Sequence, residues 1–285
     1  MGFFSDKKIV ITGAASGIGK SLAIKFATEG ADLILCDTKQ AKLKQTQNIL
    51  VENGAVCDCY SIDVKSYSSM VDFAEQVTNS HGDIDILINN AGVSLMDKMT
   101  DADLDDFRWL MEINFWGVVH GVKAFLPSLL RKEKAHIVNI SSILGLMSMP
   151  GQAAYNASKF AVKGFTDALK MELSGTSINV SCVYPGGVKT NIAKNARVGK
   201  VINQDTRTRL IDEFNKLSYT TAEKAASQII RGIKREKRRI MVGIDAKIAD
   251  ILVRLFPGNY EFFTRFEKRY QETIAETKAS NTNYD

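Results

Sequence analysis

The chain's 285 residues are 45% hydrophobic, 24% charged and 8% aromatic. These are the proportions of an ordinary globular protein, and they exclude a disordered, collagenous or disulfide-framework chain. No run of eighteen apolar residues occurs and the start, MGFFSDKKIVITG, has no secretory h-region, so a soluble, cytoplasmic protein without signal peptide or membrane-crossing helix is expected. The net charge of +5 gathers between Glu223 and Arg269, where 12 Lys/Arg stand against 6 Asp/Glu; the remainder carries 25 against 26.

In chain order, short β-branched apolar runs fall at 7–12, 31–37, 55–62, 84–89, 136–141, 178–184 and 238–243. Several, such as Leu33-Ile34-Leu35, are apolar on both faces, as strands buried between two helical layers must be. Between the runs lie stretches with apolar residues three and four apart: Leu22, Ala23, Phe26 and Ala27 after the first, Phe160, Ala161, Gly164, Phe165 and Leu169 after the fifth. The alternation predicts right-handed βαβ crossovers and thus an α/β fold. Its form is a doubly wound parallel sheet of about seven strands, of Rossmann type, with helices on both faces.

No repeat or linker divides the chain, so 1–285 reads as one domain with its core at 7–190 and 221–243. Segment 191–222 follows a Pro-Gly-Gly break, is polar and basic, and reads as a lid over a substrate site. Segment 244–270 carries Ile248, Ile251, Leu252, Leu255, Phe256, Tyr260, Phe262, Phe263 and Phe266, split by Pro257-Gly258. It predicts a helical pair packed on the body; peripheral membrane contact is the less favoured alternative. Cys36, Cys57, Cys59 and Cys182 lack metal-ligand spacing and His81, His120 and His136 are scattered, so no metal site is expected.

The first run leads into Thr12-Gly13-Ala14-Ala15-Ser16-Gly17-Ile18-Gly19 and then a helical stretch. Glycine there lets a strand turn sharply into a helix and lets a pyrophosphate approach the backbone, where exposed N–H groups and the helix dipole favour an anion. The second run ends in Asp37, 18 residues past Gly19. A carboxylate at that point accepts from both adenosine ribose hydroxyls and repels an extra phosphate, which favours NAD(H) over NADP(H). Lys20 and Lys39 lie nearby in sequence and weaken that preference. After the third run, Asp63 and Val64 could bind adenine through carboxylate and backbone N–H, although Asp63 or Ser66 could equally cap a helix. Tyr155 and Lys159 open a helix one turn apart on one face; a cation beside the phenol favours its ionised form and so a proton-transfer role.

Taken together, Thr12–Gly19, Asn89-Asn90-Ala91-Gly92, Asn114, Ser141-Ser142, Tyr155, Lys159 and Pro185–Thr190 resemble the short-chain dehydrogenase/reductase family in its single-domain form. The resemblance covers residues 7 to about 190. It implies that Tyr155 is the general acid/base and that Ser142, with Ser141 as rival, stabilises the substrate oxygen. Lys159 would lower the tyrosine pKa and bond the nicotinamide ribose. Asn114 would hold a water leading to Lys159, or else merely cap a kink. Gly13, Ser16, Gly17, Ile18, Gly19, Asp37, Asp63, Val64, Asn90, Ala91, Gly92, Pro185, Gly186, Val188 and Thr190 would bind the cofactor. Ser94, Leu95, Leu144, Met147, Met149, Gln152, Tyr184 and Gly187 would line the substrate pocket. Their mostly apolar character favours a medium-to-large secondary alcohol or ketone, steroid-, retinoid- or lipid-like. The helical runs 103–131 and 155–174 are apolar on more than one face and need a partner surface; the resemblance implies that they form the interface of a homodimer or homotetramer. A non-catalytic NAD(H)-binding sensor or scaffold and an isomerase or lyase of the sugar-nucleotide branch are the alternatives; nucleic-acid binding is not expected.

Overall fold

The computed structural model of the chain describes residues 2–199 and 204–260. The seven apolar runs become seven strands: β1 (Lys8–Thr12), β2 (Asp32–Asp37), β3 (Cys57–Ser61), β4 (Ile86–Asn89), β5 (Ala135–Ile140), β6 (Ile178–Pro185) and β7 (Arg239–Val242). They form one sheet in the order β7-β6-β5-β4-β1-β2-β3, and every neighbouring pair is parallel. The strand order reverses between β1 and β4, so a crevice opens beyond their C-terminal ends, the usual ligand position in such sheets.

Alternate residues of each strand go to different helical layers. Ile9, Ile11, Leu33, Leu35, Ile86, Ile88, Val138 and Ile140 pack with α1 (Gly17–Ala27), α2 (Gln40–Glu52) and α8 (Ala222–Lys234). Val10, Ile34, Cys36, Leu87 and Ile137 pack with α3 (Tyr67–His81), α5 (Gly117–Leu130) and α6 (Ala153–Glu172). This is why the central runs lack polar alternation: neither face of β1, β4 and β5 sees water. α8 shows the helical counterpart, burying Ala222, Ala225, Ala226, Ile229, Ile230 and Ile233 as one stripe.

Three features differ from the sequence reading. The run 103–131 is not one α-helix: α4 (Leu104–Met111) and α5 are joined by a π-helical turn, Glu112–Trp116, with Asn114 fully buried in it. Segment 191–222 contains α7 (Gln204–Leu217), and two short parallel ribbons fasten it, Leu95–Met96 to Arg197–Val198 and Val188–Lys189 to Thr220–Thr221. In 244–270, α9 (Ile244–Leu255) turns only Ala246 and Ala249 fully inward. Ile248, Ile251, Leu255 and Phe256, expected to pack on the body, are exposed, because they lie on the side of α9 opposite Ala246 and Ala249 or beyond its end. The second half of the expected pair, 261–270, lies outside the described residues. No helix among the described residues is long and apolar enough to cross a membrane.

Candidate active site

At the glycine turn the backbone conformation explains the residue choice. Gly17 has φ of +56°, and a Cβ there would come 3.3 Å from the Thr190 methyl carbon; any side chain would fill the gap between turn and Thr190. Ser16 occupies the N-cap of α1 in extended geometry, yet its hydroxyl makes no capping bond, and the first turn holds no acidic residue. The opening amides of α1 are thus left for an anion. Ile18 packs partly buried on the core, and Gly19 lies so close to the Gly13 carbonyl that a Cβ would overlap it. A cavity of about 730 Å³ runs beside this turn, lined by Gly17, Lys20, Ser21, Lys189, Thr190 and Asn191 among others. It lies along α1 and does not reach Tyr155.

Asp37 stands at the end of β2 facing the turn. Its Oδ2 accepts the Ala15 N–H at 3.1 Å and its Oδ1 the Lys39 N–H at 2.9 Å. The carboxylate therefore braces the glycine turn while keeping lone pairs for hydroxyl donors. Asp63 does not cap α3; Ser66 does, accepting from Ser69 N–H at 3.2 Å, while Asp63 accepts from Lys65 N–H at 3.1 Å. Val64 is buried, and its carbonyl lies 2.9 Å from His120 Nδ1.

Asn90 ties the loop after β4 to the glycine turn, its amide donating to the Thr12 and Gly13 carbonyls at 2.9 and 3.1 Å. The Thr12 hydroxyl oxygen accepts both the Asn90 and Ala91 N–H groups at 3.0 Å. Gly92 sits where a Cβ would meet Asn114 Oδ1 at 3.3 Å and Lys159 Nζ at 3.6 Å. The Asn114 side chain is committed to protein partners. It donates to the Val93 carbonyl at 3.0 Å and the Ser158 hydroxyl at 3.2 Å, and it accepts the Val93 N–H at 2.8 Å.

The candidate acid/base, Tyr155, lies where β5 and α6 meet. Ser142 caps a 3₁₀ turn, Ile143–Gly145, accepting the Leu144 N–H at 3.1 Å. Ser141 instead donates to the Lys159 carbonyl at 2.8 Å, which commits it to holding α6. Removal from water pushes the Tyr155 phenol up to about 12, and a hydrogen bond from Ser142 pulls the other way. Lys159 is 4% exposed, its Nζ 3.1 Å from the Ile140 carbonyl and 5.6 Å from the Tyr155 ring centre. Burial lowers its pKa to about 8, with the Cys182 thiol opposing. Ser142 and Lys159 thus both stand beside the Tyr155 side chain.

Pro185 ends β6, and the Gly186 N–H donates to the Val242 carbonyl at 2.9 Å. Gly187 N–H donates to Asp245 Oδ2 at 2.5 Å. Val188 is buried and pairs with Thr220, and Thr190 faces Gly17. Of the expected pocket residues, Leu144, Met149, Gln152 and Gly187 are partly exposed. Tyr184 is not a wall: it is fully buried with Leu146, Cys182 and Met241, under the Arg239 guanidinium 5.2 Å from its ring centre. Its position in the last turns of a doubly covered strand puts it in the core. Leu95 and Met147, each 2% exposed, are core residues too, and Ser94 is 7% exposed.

Sequence reasoning missed Asn156, which donates to the Leu144 and Met147 carbonyls, both at 2.9 Å, and accepts from Met149 N–H at 3.3 Å. This one side chain shapes the loop that carries Ser142 toward Tyr155. It also missed the buried relay in which Asn89 donates to Asn139 and Asn139 to Thr166, at 2.9 and 3.0 Å. The signal available was a set of polar residues inside otherwise apolar elements.

A parallel sheet with a glycine turn at its switch point thus brings Ser142, Tyr155 and Lys159 together near the C-terminal ends of its strands. The family profile "short chain dehydrogenase" matches residues 7–201, and the chain belongs to that family. The "Putative oxidoreductase SadH" of Mycobacterium tuberculosis is 38% identical over 263 residues, 92% of this chain and 95% of that protein. A short-chain dehydrogenase/reductase from Burkholderia phymatum, solved in complex with NAD, superposes with a TM-score of 0.81 at 30% identity, covering 88% of this chain and 94% of that one. A metagenomic short-chain oxidoreductase solved with NADP has a TM-score of 0.62 at 30% identity, covering 64% and 83%. The chain is an oxidoreductase of this family.

Proposed function

We propose that the chain transfers hydride between NAD(H) and a medium-to-large apolar secondary alcohol or ketone. The observation that carries this reading is the placing of the Ser142 hydroxyl beside the Tyr155 phenol, with buried Lys159 5.6 Å from its ring centre. A bound nicotinamide supplies the hydride donor or acceptor and, when oxidised, a positive charge beside the phenol. In reduction, Tyr155 Oη gives its proton to the carbonyl oxygen while the Ser142 hydroxyl steadies the charge developing there. In oxidation the phenolate takes the alcohol proton, and the Lys159 ammonium stabilises that phenolate. The uncapped start of α1 and the gap opposite Thr190 fit a pyrophosphate, and Asp37 fits ribose hydroxyls, which favours NAD(H) over NADP(H). The partly exposed Leu144 and Met149 support an apolar substrate.

Exposed Trp116, Phe160 and Met171 around α5 and α6 support self-association as a homodimer or homotetramer. The test is NADH fluorescence and turnover against secondary alcohols and ketones, from short aliphatics to steroids and retinoids, with NADP(H) alongside. Turnover of a bulky apolar compound with NAD is expected. Tight NADH binding with no turnover of any panel member would contradict the reading and move it to a non-catalytic sensor.

A further inference from the structure

We propose that the outer face of α9 is a docking surface for an anionic lipid bilayer. Ile244, Ile248, Ile251 and Leu255 recur at spacings of four, three and four along the helix, and are 66%, 50%, 56% and 66% exposed. They form one narrow aliphatic stripe on the side opposite buried Ala246 and Ala249. Exposed Lys247 and Arg254 lie together on one flank of that stripe, Arg254 also pairing with Asp250 at 3.2 Å. This region of the sequence holds the chain's excess charge, 12 Lys/Arg against 6 Asp/Glu between Glu223 and Arg269.

Area favours lipid over a second copy of the chain, and exposed Lys247 beside the stripe favours an anionic surface. Four half-exposed aliphatic residues offer well below the ~800 Å² that each partner gives to a standard protein interface. Shallow insertion of an apolar stripe, helped by lysine and arginine beside anionic headgroups, requires no more than this.

The helix is also joined to the substrate side of the molecule. Asp245 in its first turn holds the Gly187 N–H, and beyond its end the Tyr260 hydroxyl accepts the Ser148 N–H at 3.0 Å. A bilayer under α9 therefore lies next to the Ile143–Met149 loop, through which an apolar substrate could pass without crossing water. The proposal deepens the reading of an apolar substrate, but its test does not use turnover.

The full chain is floated with vesicles of phosphatidylcholine, with and without phosphatidylglycerol. Binding to the anionic vesicles that weakens at high salt is expected. The double variant Ile248→Glu/Ile251→Glu should lower it at least about tenfold with NADH affinity unchanged, which certifies the fold. No binding by the parent, or equal binding by the variant, overturns the proposal. A loss of oligomer in the variant without vesicle binding by the parent overturns it in favour of a second copy.

Discussion

Asn114 and Val93 hold one another through both polar groups of a single residue's backbone: the asparagine amide donates to the Val93 carbonyl at 3.0 Å and accepts its N–H at 2.8 Å. The π-helical turn that carries Asn114 brings the side chain inward at the level of the loop after β4. There it fixes the Asn90–Val93 segment between the glycine turn and Lys159.

Asn114→Ala removes both bonds and leaves the Val93 groups without their partners. A loss of about 2–3 kcal/mol in denaturant stability is expected, with weakened NADH binding as the loop is released. A variant as stable as the parent would mean that water replaces the clamp without penalty.

Asp37 joins cofactor choice to loop structure, since its two oxygens hold the Ala15 and Lys39 N–H groups. Asp37→Asn keeps one acceptor oxygen for the turn, gives up the other, and removes the negative charge. The NAD-to-NADP preference in kcat/KM should fall by at least about tenfold, or 1.4 kcal/mol. An unchanged ratio would assign the preference to another residue, Lys20 or Lys39 being nearest in sequence.

His136 makes stability depend on pH. Ser181 donates its proton to the Lys237 carbonyl at 2.7 Å, so toward His136 Nε2, also at 2.7 Å, its oxygen can only accept. The neutral ring is thereby satisfied. Burial lowers its pKa to about 4, with Glu236 opposing and Lys134 and Lys170 adding to the shift. Above the unfolded value of 6.5 neither state binds the proton; below it only the unfolded chain does. Stability therefore falls from pH 6.5 to about 4, by roughly 3 kcal/mol from this group. His136→Gln should flatten that part of the stability profile relative to the parent, and parallel profiles would contradict the assignment.

The sequence was most legible where a residue's role depends on local pattern. The run Lys7–Thr12 became Lys8–Thr12 and the run Ile178–Tyr184 became Ile178–Pro185, because a strand buried on both faces announces itself by its apolar residues. Tyr155 and Lys159 were equally readable, since one helical turn fixes their relation. Ribbons of two residues, such as Leu95–Met96 with Arg197–Val198, have no periodicity to detect. The π turn at Glu112–Trp116 is maintained by contacts far away in sequence, Asn114 with Val93 and Ser158 among them. Tyr184 and Ile251 failed for complementary reasons: one sits near the site in sequence but beneath it in space, and the other is apolar but faces outward.

The central claim is that the Tyr155 phenol moves the proton in an otherwise intact site. Tyr155→Phe removes one oxygen and keeps the ring packed with Leu95, Leu110 and Ala154. Measured side by side, kcat/KM for the best substrate should drop by about 10²–10⁴ while the NADH dissociation constant stays within about twofold. Turnover within a few-fold of the parent, with NADH still bound, would contradict the account.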